Sequence, residues 1–297
     1  MSDAIAATVK GSVADPIQGP MLHDLLNGEA GRLIERLRGE EFSQSGSVSD
    51  EAIVARLDQY GELSVALAHA FAWGNRWAGD AVRPLWTSLL ERVTGGVDRK
   101  GGEAIWMDLS HYPAVLLLYG GGMGALLGER FGNFSALLLG PRVFRHNRWH
   151  RAVEILITPT VMDPRQAGRV AGLPDTFAPL SDRLAADLRP ILRDLVPDDA
   201  QFERLFDRWE YLLGLIHLDV TRNGDKGWGP AGRFAAAQYG TGIDSWVEDE
   251  IKAGGAAWGP LAAGLFGGSE KRLHDSLAAW REHLEAVRRE ARFHHFR

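Results

Sequence analysis

The chain has 297 residues, 45% hydrophobic and 24% charged, an ordinary balance for a globular protein long enough to bury a large core. Its formal net charge of −6 excludes polyanion binding by bulk charge, so any nucleic-acid contact requires a local basic patch. The absence of cysteine excludes disulfides, thiolate metal sites and cysteine nucleophiles.

Taken in order, residues 1 to 16 read as a tail without the charged-then-apolar sequence of a secretory signal, which points to the cytoplasm. Met21 to Arg38 carries Leu22, Leu25, Leu26, Leu33 and Leu37 at helical spacing. A small-polar linker, Ser43 to Asp50, follows, with Ser49 or Asp50 placed to cap a helix over Asp50 to Ala72. Ala81 to Val93 reads as another helix, and Leu180 to Leu195 as one that breaks or kinks at Pro190. From Phe202 to Ile216 the apolar residues form one stripe of a 3.6-residue period, with Asp198 and Gln201 at capping-box spacing. Leu273, Leu277, Trp280, Leu284 and Val287 mark a long C-terminal helix. Alternating strands are scarce, so the expected fold is all-α: a multi-helix array of amphipathic helices. A division into a tail and linker (1–47) and two helical halves (48–160 and 161–297) follows from the Gly/Pro-rich stretch 158–168.

The stretch "YPAVLLLYGGGMGALLGERFG" (112–132) admits three readings. As a dinucleotide cradle it fails on spacing: Gly122 and Gly124 are followed by Gly128, one residue too late, and Arg142 ends the next apolar segment where an acid is needed. No lysine lies between Lys100 and Lys226 to complete a P-loop, so no cofactor is implied. As a membrane span, the region from Leu109 to Gly128 has about the required length without a charge, yet Ser110, His111, Pro113 and the glycines fit a buried helix better, and membrane association is not expected. The third reading uses Gly120, Gly124, Gly128 and Gly132, which recur every four residues and give one helical face a smooth surface against a neighbouring backbone.

"RVFRHNRWHRAVE" (142–154) is the other distinctive cluster. Read as a helix, it places His146, His150 and Glu154 at i, i+4 and i+8, a possible metal triad, although Asn147 stands where a metalloprotease motif needs glutamate. Arg142, Arg145, Arg148 and Arg151 around Trp149 form the densest basic patch, suited to a nucleic acid or another anion. Alternatively the arginines are an exposed face that pairs with acidic groups elsewhere. The loop 217–234 holds Trp228, Arg233 and Phe234, of which Arg233 beside Phe234 fits a buried or interfacial anchor. No catalytic residues stand out.

The phrases "DRWEYLLGLIHLDV", "GWGPAGRF" and "GLFGGSEKRL", with "PLSDRL" and the glycine-rich stretch before them, resemble the helical region of bacterial multidomain proteins of anti-phage-defence type. In those proteins this region follows a sirtuin-like, TIR-like or AlbA/Schlafen-like domain. The resemblance covers about residues 48–290 and implies a sensing or scaffolding module with no catalytic residues. Only a short helix and linker precede Asp50 here, so the alternatives are an effector supplied by a separate chain or a degenerate remnant. The expected activity is accordingly binding: a protein partner or self-association through tryptophan-rich surfaces, alternatively nucleic acid at the Arg142–Arg151 patch, alternatively an enzyme site near His146, His150 and Glu154.

Overall fold

The computed structural model describes residues 7–9, 11, 19–97, 101–145, 147–222, 229–235 and 242–294. It is all-α apart from one hairpin. The helices are α1 (Gly19–Leu37), α2 (Asp50–Trp77), α3 (Arg83–Val97), α4 (Ala104–Leu109), α5 (Tyr112–Leu127) and α6 (Phe131–Leu139). After strands β1 (Arg142–Arg145) and β2 (Arg148–Arg151) come three single-turn helices, α7 (Ala152–Ile155), α8 (Thr158–Val161) and α9 (Pro164–Ala167). The chain continues through α10 (Pro179–Ile191), α11 (Asp199–Thr221), α12 (Ile243–Gly254), α13 (Gly259–Ala262) and α14 (Glu270–His294).

The long helices begin where the sequence offers caps. The Ser49 hydroxyl accepts from the Ala52 N–H at the start of α2, and the Asp198 carboxylate accepts from the Gln201 N–H at the start of α11. Helix α10 tolerates Pro190 because it stands in the last turn, where the helix is ending.

Helix α5 is the centre of the molecule. Every residue from Tyr112 to Leu126 is buried, so the helix is apolar all round and has no outward stripe. Its principal neighbour is α2, and the glycine rhythm sets their separation. A Cβ placed on Gly120 would lie 3.0 Å from the Ala68 carbonyl oxygen. On Gly124 and Gly128 it would press still closer on the carbonyls of Ala72 and Arg76. These three glycines therefore let α5 lie directly on the α2 backbone, as in small-xxx-small packing. Gly132 departs from the expected stripe. Helix α5 ends at Leu127, and Gly132 sits in α6 against the Arg83 guanidinium. The intervening turn closes with Arg130 N–H donating to the Ala125 carbonyl and Glu129 N–H to that of Leu126, Glu129 taking φ of 53°. This is a Schellman closure with glutamate at the left-handed position.

On its other side α5 meets α11, where Gly122 faces the Trp209 indole so closely that a Cβ would lie 1.9 Å from a ring carbon. Trp209 also contacts Tyr119 and Phe134 edge-on, at centroid separations of 5.3 Å and 5.6 Å. One hydrophobic core runs from α1 through α5 and α11 to α14, on both sides of the 158–168 stretch. Among the described residues no helix is long and apolar enough to cross a membrane.

The glycine contacts give a paired test. Gly124→Ala forces a methyl group into the α2 backbone and is expected to lower the unfolding free energy by at least about 2 kcal/mol. Gly28→Ala, on the exposed face of α1 with open space around the position, is expected to raise it by about 0.5–1 kcal/mol. Urea denaturation of the two variants decides the matter; a Gly124→Ala protein as stable as the parent contradicts the close crossing.

Candidate functional site

Residues 142–151, expected as part of a helix, are instead a β-hairpin. Arg142 pairs with Arg151, Val143 with His150, Phe144 with Trp149 and Arg145 with Arg148. Pro141 disfavours helix for the residue before it, Val143, Phe144 and Trp149 prefer strand, and Asn147 takes the left-handed conformation (φ 63°) at the turn.

Period-two alternation sorts the side chains onto two faces. On the inner face Val143 and His150 are buried, and Arg145 forms an ion pair with Asp108 of α4. Arg148 Nε donates to His150 Nε2 at 2.9 Å, which leaves the His150 proton on Nδ1, 3.4 Å from Glu154 Oε1. Glu154 Oε2 in turn accepts from the Arg151 N–H at 2.6 Å, closing the first turn of α7. His150 and Glu154 thus meet, but across a hairpin-to-helix junction that they hold together, and not on one helical face. His146 lies outside the described residues, and among the described residues no three His, Asp or Glu side chains gather to hold a metal ion.

The outer face carries Arg142, Phe144, Trp149 and Arg151. Phe144 and Trp149 are 48% and 65% exposed and touch edge to face at 5.2 Å. Among the described residues neither Arg142, Arg148 nor Arg151 has an ion-pair partner. The Arg142 N–H donates to Glu91 Oε1 at 2.6 Å and ties β1 to α3.

Between this face and α3 runs an open groove of about 970 Å³. Arg142, Phe144 and Trp149 form one side; Ser88, Glu91 and Arg92 form the other. His111, just ahead of α5, lies among the lining residues although it is only 6% exposed. Burial first, and then the nearby Arg145 cation, push its imidazole down to a pKa of about 4, so it is neutral at pH 7. Its Nδ1 lies 3.2 Å from the Met107 carbonyl oxygen, an acceptor, so Nδ1 carries the proton and Nε2 is left as an acceptor. A smaller hollow of about 540 Å³ continues past Glu91 and Arg92 towards α1.

The remaining sequence-singled residues lie apart from this groove. Phe234 is core, against Tyr211, and Arg233 anchors a strap, Gly229 to Ala235, over α11. The Arg233 guanidinium covers the Phe206 ring at 4.5 Å and pairs with Glu203 and Asp207. Trp228 lies outside the described residues. Beneath the strap is an ionisable group that sequence reasoning missed, Glu210. Its carboxyl accepts from the Ser181 hydroxyl at 2.7 Å and from the Tyr119 hydroxyl at 3.4 Å, and Gly232 is pressed against it. Ser181 Oγ also accepts from the Arg233 N–H, joining strap to carboxyl. Burial raises the Glu210 pKa to about 8, against the lowering pull of Ser181 and Arg233. Only its place within the apolar stripe of α11, between Trp209 and Leu213, hinted that it is buried.

No protein-family model, curated protein or solved structure matches the chain.

The raised pKa of Glu210 has a stability consequence. The folded state holds this proton more tightly than the unfolded chain, so the contribution is complete below the ordinary carboxylate pKa and is lost as pH rises towards about 8. Glu210→Gln keeps the acceptor for Ser181 and does not ionise. The parent should therefore lose stability relative to Glu210→Gln between about pH 5 and about pH 9, measured by denaturant titration. Parallel pH profiles for the two proteins would refute a buried, proton-holding Glu210.

Proposed function

We propose that the protein is a binding module and that the outer face of the hairpin contacts single-stranded nucleic acid. The observation that carries this reading is the exposed Phe144–Trp149 pair set between Arg142 and Arg151, which have no ion pair among the described residues. Exposed rings cost apolar hydration and are retained where something stacks on them. Bases stack on aromatic rings without sequence preference, and guanidinium groups meet the phosphates between them. The patch also supplies the local positive charge that a chain of net charge −6 needs in order to hold a polyanion. Glu210, whose pKa burial raises to about 8, is closed in by Ser181, Tyr119 and Gly232, which favours binding over acid–base chemistry there. The resemblance to helical regions of defence-type proteins extends the proposal: the module would report to, or scaffold, an effector domain.

A second reading, a protein partner or a second copy, draws on two further surface tryptophans. Trp77 and Trp246 are 39% and 41% exposed, each covered on one side by an arginine, Arg76 or Arg208. Aromatic and arginine side chains are the residues enriched at interface hot spots.

Fluorescence anisotropy with a labelled oligo-dT of about 20 nucleotides separates the two. Binding should weaken steeply with salt, as release of counterions from several phosphates requires. Trp149→Ala should lose about tenfold in affinity, and Arg142→Glu/Arg151→Glu more, with the circular dichroism spectrum and thermal midpoint unchanged because these side chains are on the surface. Absence of binding at low salt, together with a dimer by light scattering that Trp77→Ala or Trp246→Ala dissolves, would replace the nucleic-acid reading with the second one.

A further inference from the structure

The groove between the hairpin and α3 brings contrasting chemistries together in one lining. Arg92 and Arg142 supply positive charge, and Phe144 and Trp149 supply apolar ring surface. The same lining offers acceptors. His111 presents Nε2, since its Nδ1 proton is committed to the Met107 carbonyl. Glu91 has one carboxylate oxygen on the Arg142 N–H and the other available. The Ser88 hydroxyl spends its proton on the Leu85 carbonyl, so its oxygen also faces a ligand as an acceptor. The matching ligand combines a flat ring, an N–H donor and an anionic group. A nucleotide has that combination.

We infer that the groove takes one nucleobase of a bound single strand, with His111 Nε2 accepting from an N–H on the base's Watson–Crick edge and Arg92 and Arg142 meeting the flanking phosphate. This rests on the reading of the hairpin as a nucleic-acid surface and adds a base-reading element to it. The His111 ring is held from behind, in a fixed tautomer, by a main-chain carbonyl, as a group that orients a ligand must be. His111 is a positioning and specificity residue; stacking and charge at Phe144, Trp149 and the arginines do not depend on it.

The test compares oligo-dT with an oligonucleotide of the same length made from N3-methylthymidine, which stacks and carries charge alike but lacks the ring N–H. The parent protein is expected to bind the methylated strand about tenfold more weakly, the worth of one hydrogen bond to a buried acceptor. His111→Phe is expected to bind both strands equally. Because that substitution alters a buried position, the imidazole nitrogens of the unmodified protein are followed by nitrogen-15 NMR as well: the Nε2 resonance should move on addition of oligo-dT and stay in place with the methylated strand. Equal binding of both strands by the parent, or discrimination that persists in His111→Phe, overturns the inference while leaving the hairpin reading intact. Failure of oligo-dT to bind at all overturns the hairpin reading, and the inference with it.

Discussion

The contact between the backbones of α2 and α5 is the constraint on which the remaining structure depends. With Gly120, Gly124 and Gly128 turned to the carbonyls of Ala68, Ala72 and Arg76, no layer of side chains separates the two helices. Interior glycines weaken an isolated helix by roughly 0.5–1 kcal/mol each, so α5 is a helix because of what surrounds it. Its other sides must then be filled by large groups from elsewhere. Trp209 of α11 presses on Gly122, and Leu137 of α6 approaches Gly121, so small and large residues interlock around one axis.

A helix enclosed on all sides must also satisfy its polar side chains internally. Tyr112 and Tyr119 stand two turns apart on α5, so their hydroxyls leave the same face. Tyr112 donates to Asp187 on α10 at 2.7 Å, and Tyr119 reaches Glu210 on α11. Asp187 is balanced by Arg183, which also pairs with Asp58 of α2. Such half-buried ion pairs are weak sources of net stability, because desolvation offsets much of the attraction. Their effect here is on register. A slide of α10 or α11 along α5 by one turn would leave a buried hydroxyl and a buried carboxyl without partners, at about 1–3 kcal/mol or more for each. The strap over Glu210 belongs to the same arrangement, since Gly232 is the residue that allows the carboxyl to approach.

Much of this was legible in the sequence, because the long helices carry their own periodicity and caps. Helix α11 runs from Asp199 to Thr221 as its apolar stripe and Asp198 cap require, and the four-residue glycine rhythm located the close crossing. What the rhythm did not show is where it stops. Gly132 continues the spacing but falls beyond a turn that Glu129 and Arg130 make by main-chain hydrogen bonds, to which side-chain identity gives little clue. The hairpin was misread for a related reason. Arginine and histidine at spacings of three and four imitate a helix face, whereas the informative signs were Pro141, the β-preferring Val143 and Phe144, and an asparagine at the turn. Glu210 and His111 were invisible as ionisable sites, because their perturbation comes from residues far away in sequence.

The hairpin also shows how secondary structure decides what a set of residues can do. As a helix, residues 142–151 would spread their arginines over about half of the circumference and put Phe144 and Trp149 on different faces. As strands, the same residues are sorted by alternation. Arg145 and Arg148 fall on the inner face, where Asp108 and His150 engage them and hold the hairpin to the body. Arg142 and Arg151 fall outside with the two rings, on a wall already fixed to α3 by Glu91. Arg145 is paired and half-buried, Arg148 is exposed and bonded to His150, and Arg142 and Arg151 lie beside the two exposed rings. The surface departs from the helical plan of the rest of the chain and keeps exposed rings beside guanidinium groups with no ion pair among the described residues.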